Sequence, residues 1–209
     1  MIFYIKHMKK QFYIIFITCA AVLSQCTNPF STRTPEEPDL RRGTGISDNS
    51  LQTDPNRILE KIEQAFEMKD SRAYRACFAD KSLVGVEFSF IAEDTELPRL
   101  PDWTLDDEER YFNNLVSSAT VDFAVIPESP IPTPVSNSPD TLQLDYEYVI
   151  SVAQLRASNE RYTGRSIMRI LKAPDELWYI YEWHDLRVSR ASQTDSTWST
   201  LKANFRISP

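Results

Sequence analysis

Between Leu142 and Val152 the chain alternates without a break. Leu142, Leu144, Tyr146, Tyr148, Ile150 and Val152 fall on one side, and Gln143, Asp145, Glu147, Val149, Ser151 and Ala153 on the other. Side chains of an extended strand point to opposite faces in turn, so this spacing predicts one long strand with its even-numbered face in a core. Arg161 to Leu171 repeats the pattern, with Arg161, Arg165 and Arg169 set against Tyr162, Met168 and Ile170. After a tight turn at Ala173-Pro174-Asp175-Glu176, Leu177 to Val188 is dense in strand-forming residues, including Trp178, Tyr179, Ile180, Tyr181 and Trp183. Acids on one strand and arginines on the next predict cross-strand pairs on the solvent face, each worth tenths of a kcal/mol to about one.

The cover for the dry face lies upstream. Asp54-Pro55 marks a helix start, with Asp54 as N-cap and Pro55 at the first helical position, where a missing N–H costs nothing. Ile58, Leu59, Ile62, Ala65 and Phe66 follow at helical spacing and predict a helix of about four turns. Asp70-Ser71 restarts the chain, and Tyr74, Cys77 and Phe78 repeat the spacing in a second, shorter helix. Leu83 to Ile91, with Val84, Val86, Phe88 and Phe90, reads as a strand. Thr104 followed by Asp106, Asp107 and Glu108 opens a third helix, with Tyr111, Phe112 and Leu115 as its buried stripe, running to about Ser117. Thr120 to Ile126 is a strand, ended by a proline-rich loop from Pro127 to Pro139 that is expected not to continue a ladder. The tail from Ser196 carries Trp198, Leu201 and Phe205 and reads as a short helix packed back on the sheet.

The first 25 residues divide as an export signal does: a basic stretch (Lys6, His7, Lys9, Lys10), an apolar run from Phe12 to Leu23, then small and polar residues up to Cys26. The run is shorter than the roughly 20 residues that span a bilayer, which disfavours a transmembrane anchor. Leu23-Ser24-Gln25-Cys26 resembles the lipobox of bacterial lipoproteins, with Gln25 standing where a small residue is usual. The resemblance implies a signal peptide over residues 1–25, a lipid on Cys26, and a protein anchored in the cell envelope facing the periplasm or exterior. An uncleaved signal anchor and a plain secretory signal are the alternatives. Residues 26–52, rich in Pro, Ser, Thr, Gly and charge, read as a flexible tether, and residues 53–209 as one domain.

Loss of the signal removes three lysines and no acid, taking the formal charge from −7 to −10. A chain this acidic, with no basic stripe, argues against a nucleic-acid partner and against docking on anionic lipid, leaving the acyl group as the membrane attachment. Cys77 is the one thiol left for the folded domain besides the lipidated Cys26, and it reads as a buried small apolar residue.

The order helix, helix, strand, helix, then long antiparallel strands resembles the nuclear transport factor 2-like superfamily. The text from Leu59 to Tyr74, with its break at Asp70, is similar to the opening helices of that superfamily, and Trp178-Tyr179-Ile180 is similar to its final strand. The resemblance implies an α+β fold with three N-terminal helices on a curved antiparallel sheet, a cone with a pocket at one end, and homodimerisation through the outer face of the sheet.

Chemistry is mostly excluded. The four glycines form no phosphate-binding loop, and His184 is the single histidine outside the signal, so neither a nucleotide site nor a His/Cys zinc site is expected, and no cofactor or metal is predicted. The catalytic candidate is His184 beside Asp185, near Trp183. Strict alternation sends the two to opposite faces unless a bulge near Tyr181 intervenes. Tyr146, Tyr148 and Met168 on the inward face either line a pocket or fill a core. The expected function is therefore a non-catalytic envelope lipoprotein whose domain binds an envelope protein or a small apolar ligand. The alternative is an isomerase-, dehydratase- or cyclase-like enzyme working in the cone.

Overall fold

The computed structural model describes residues 49–135, 138–154, 160–188 and 196–207. The expected signal peptide, Cys26 and the expected tether as far as residue 48 lie outside the described residues. Part of the segment expected as tether is folded: a 3-10 turn at Asn49–Thr53 buries Leu51 and Gln52. Gln52 is held because its side-chain amide donates to the carbonyls of Ala76 (2.7 Å) and Trp178 (3.0 Å), tying this turn to the sheet.

A second 3-10 turn, capped by the Asp54 carboxylate on the Asn56 N–H, leads into α1 (Ile58–Met68). Its buried residues include the predicted Ile58, Leu59, Ile62, Ala65 and Phe66. Lys69 ends it in the left-handed conformation at φ 55°, and Asp70 caps α2 (Ser71–Arg75) by accepting from the N–H groups of Arg72 and Ala73. Leu83 to Ile91 is not one strand. Asp80 accepts from Ser82 N–H and starts the single helical turn α3 (Lys81–Val84), which Gly85 stops at φ +76°, so pairing begins only at β1 (Ser89–Ile91). Local capping outweighs strand propensity here, because Leu83 and Val86 have no apolar face to join and stay exposed. The helix α4 (Leu105–Ser118) opens with a reciprocal capping box between Thr104 and Asp107.

The remaining strands are β2 (Ala119–Ile126), β3 (Thr133–Val135), β4 (Ser138–Gln154), β5 (Glu160–Lys172) and β6 (Trp178–Leu186), followed by α5 (Trp198–Phe205). The sheet order is β1-β6-β5-β4-β2, with β3 also on β4. All pairs are antiparallel except β1 on β6, so the sheet is mixed at that edge. The proline-rich segment interrupts the ladder without ending it. β2 runs along β4 until Ile126 faces Glu147, and β3 resumes on the same strand with Pro134 opposite Leu142. Proline is tolerated there because β3 is a short edge piece.

The helices cover the inner face of the sheet, and Leu144, Tyr146, Tyr148, Ile150 and Val152 enter the core as the alternation requires. Gly164 on β5 sits opposite Tyr148 on β4. A Cβ at this position would lie 2.2 Å from the Tyr148 hydroxyl oxygen and 2.9 Å from the Leu186 carbonyl oxygen, so only glycine leaves that phenol its path across the strand. Gly164→Ala should destabilise the domain by about 1–3 kcal/mol through overpacking, read as a lower urea midpoint with an unchanged slope.

Candidate functional site

The geometry of the site is decided by one extra residue in β6. Arg169 of β5 faces Glu182, but the next residue, Ile170, faces Ile180, so Tyr181 is a bulge. Before it Trp178 and Ile180 point inward. After it Trp183 and Asp185 do, while His184 turns to the outer face. His184 and Asp185 therefore form no dyad. His184 Nε2 lies 3.0 Å from Glu182 Oε1, and Glu182 also pairs with Arg169 at 2.7 Å, an outer-face cluster that is part-exposed and contributes little to stability.

Asp185 is only 1% exposed. Its Oδ1 accepts from the Tyr148 hydroxyl at 2.6 Å, and its Oδ2 accepts from both the N–H and the hydroxyl of Ser199 at 2.6 Å. Burial pushes its carboxyl above the usual range, and these hydrogen bonds pull it back in part. Because Ser199 lies in the first turn of α5, Asp185 satisfies an orphan N–H of that helix from across the sheet. The Trp198 N–H donates to the Tyr148 oxygen (2.6 Å) and its indole N–H to the Tyr111 oxygen (3.0 Å).

A second polar centre lies deeper. Glu108 and Lys202 are both completely buried and form an ion pair. Glu108 also accepts from the Tyr74 hydroxyl and the Trp103 indole N–H, each at 2.7 Å. The Lys202 ammonium stands 3.6 Å from the centre of the Trp183 ring and 3.7 Å from that of Phe90, with Trp103 and Tyr111 at 5.7 Å. Burial pushes the Lys202 ammonium down to about 8 against the opposing pull of Glu108.

The other candidate residues lie in the buried interior. Tyr146, Tyr148, Met168 and Trp183 are buried, and Trp198 enters among them, with its ring 4.5 Å from Trp183 and 5.2 Å from Tyr148. Tyr146 donates to the Met168 sulfur at 3.4 Å, and the Trp183 indole N–H to Ser166 at 3.0 Å. His184 and Asp185 both border a surface depression of about 500 Å³, with Ile91, Glu93, Asp94, Arg165 and Arg187. Of its charged groups, Arg187 pairs with Glu93 and Arg165 with Asp145. Cys77 is buried and its thiol is pushed up to about 12 by that burial, which leaves it inert. Among the described residues no group of three or more His, Cys, Asp or Glu side chains is placed to hold a metal ion.

Glu108, Lys202, Tyr74 and Trp103 were not expected as a polar centre, yet a signal existed. Glu108, Tyr111, Phe112 and Leu115 share one helical stripe, as do Trp198, Leu201, Lys202 and Phe205. A charge of each sign on a buried stripe is the pattern of a buried pair.

No protein-family model and no curated protein sequence matches the chain. A nuclear transport factor 2-like superfamily protein from Salmonella enterica serovar Typhimurium superposes with TM-score 0.52 at 12% identity, over 69% of this chain and 96% of that one. Two further structures are similar at lower scores. One is a candidate dehydratase of the same fold family from Streptomyces avermitilis, with TM-score 0.48, 13% identity, and 63% of this chain and 91% of that one covered. The other is a protein of unknown function from Mycobacterium tuberculosis, with TM-score 0.48, 12% identity, and 71% and 82% covered. The chain thus has the nuclear transport factor 2-like fold, an α+β cone, and this fold by itself leaves the function open.

Removing one member of the buried pair strands the other. Lys202→Met should cost about 3–5 kcal/mol, and Lys202→Met/Glu108→Gln should recover most of it; chemical denaturation of both variants measures the difference.

Proposed function

We propose that this chain is a cell-envelope lipoprotein, tethered through Cys26, whose cone is a non-catalytic module that engages a protein partner by its outer surface. One observation carries the non-catalytic part of this reading. α5 packs inside the cone, and the two most deeply buried carboxylates among the described residues, Asp185 and Glu108, are both consumed in holding that helix. A general acid or base needs reach to a substrate proton, and a carboxylate ringed by its own donors with its oxygens out of solvent has none. The membrane half is supported by the export-type N-terminus ending at Cys26. No helix among the described residues is long and apolar enough to cross a membrane.

The two halves are tested separately. Cys26→Ser in the full-length chain should move the protein from the membrane to the soluble fraction, and unchanged membrane retention would remove the anchor. For the cone, Trp198→Ala opens an indole-sized space at a cost of about 3–5 kcal/mol. Added indole should raise the melting temperature of Trp198→Ala progressively with concentration and leave the parent chain unchanged. Stabilisation of the parent by indole would show an accessible cavity and defeat the filled-cone reading.

A further inference from the structure

Lys202 does not merely neutralise Glu108. Its ammonium is set against the faces of two rings, at 3.6 Å from Trp183 and 3.7 Å from Phe90, with Trp103 and Tyr111 completing the wall at 5.7 Å. Ring faces carry the negative lobe of the aromatic quadrupole, so a desolvated cation among several of them is attracted without any hydrogen bond. A carboxylate at one side and aromatic faces around the rest is the arrangement that recognises an organic ammonium. A neutral group of the same shape would gain neither term and would leave Glu108 uncompensated.

We propose that Phe90, Trp103, Tyr111 and Trp183, closed by Glu108, form a recognition site for a primary alkylammonium group, filled in this conformation by the chain's own Lys202. α5 is then an intramolecular ligand. Its other polar ties have the same character, since Tyr148, Tyr111 and Asp185 on the cone side receive the Trp198 and Ser199 donors of the helix. The assignment of ligand class concerns the cone alone and stands whether or not the chain is lipid-anchored.

The test removes the tethered amine and offers a free one. Lys202→Ala keeps the Cβ, so n-propylammonium replaces the atoms lost. The melting temperature of full-length Lys202→Ala should rise with n-propylammonium, logarithmically above its dissociation constant, by roughly 3–5 °C for each further tenfold in concentration. 1-Propanol at the same concentrations should give no such rise. Lys202→Ala/Glu108→Gln, which keeps the ring faces but loses the carboxylate, should show a much weaker preference for amine over alcohol, and the parent chain should show no amine-specific shift because Lys202 occupies its site. If Lys202→Ala is unfolded alone, the readout becomes recovery of native tryptophan fluorescence on refolding with amine but not with alcohol. Equal responses to amine and alcohol in Lys202→Ala, no response to either, or an amine shift of the same size in the parent chain would each overturn the proposal.

Discussion

Two opposite charges taken fully out of water must be held in good geometry with their remaining hydrogen-bonding capacity met, or the desolvation cost exceeds their attraction. Glu108 and Lys202 meet that condition by drawing on four separate parts of the chain. Tyr74 from α2 and Trp103 from the loop before α4 donate to the carboxylate, while Phe90 from β1 and Trp183 from β6 face the ammonium. The pair therefore fixes the helices, the sheet edge and the C-terminal helix against one another. A shift of α5 by one residue would replace Lys202 with Leu201 or Ala203 opposite a buried carboxylate, so this interaction specifies the seating of the helix as well as contributing to its stability.

The aromatic residues supply most of what surrounds the pair. Tyr74 stacks on Phe112 at 4.1 Å, Phe66 lies against both, and Trp198 meets Phe66, Phe123, Tyr148 and Trp183. Offset and edge-on contacts of this kind add about 0.5–1.5 kcal/mol per pair beyond burial. They account for why the last helix, only eight residues long, stays seated: it brings a tryptophan, a lysine and a phenylalanine into sites prepared by distant strands. An isolated helix of that length would not be stable in water. Its order is a property of the cone.

Much of this architecture was legible in the sequence because it follows from periodicity. The even face of Leu144 to Val152, the stripe of α1, the caps at Asp54, Asp70 and Thr104, and the returning Trp198 helix are all local patterns whose meaning depends little on context. What failed to show depended on competition or on distance. Asp80 and Gly85 converted half of an expected strand into a helical turn, and Gln52 docked a segment that by composition reads as tether. The Glu108–Lys202 pair joins residues 94 positions apart, and no local pattern states that two such residues meet.

The least legible feature was also the one with most chemical consequence. Whether His184 or Asp185 enters the cone depends on a single unpaired residue, Tyr181, and no composition rule forces a bulge there. With regular pairing, His184 would share the inner face with Ile180. With the bulge, the inner position is taken by an aspartate that caps α5, and the histidine is turned to Glu182 on the outside. One inserted residue therefore separates two outcomes for the same strand: a cone with an imidazole on its inner face, and a cone whose inward acid is committed to its own C-terminal helix. The fold permits either, and the register of β6 against β5 selects the second.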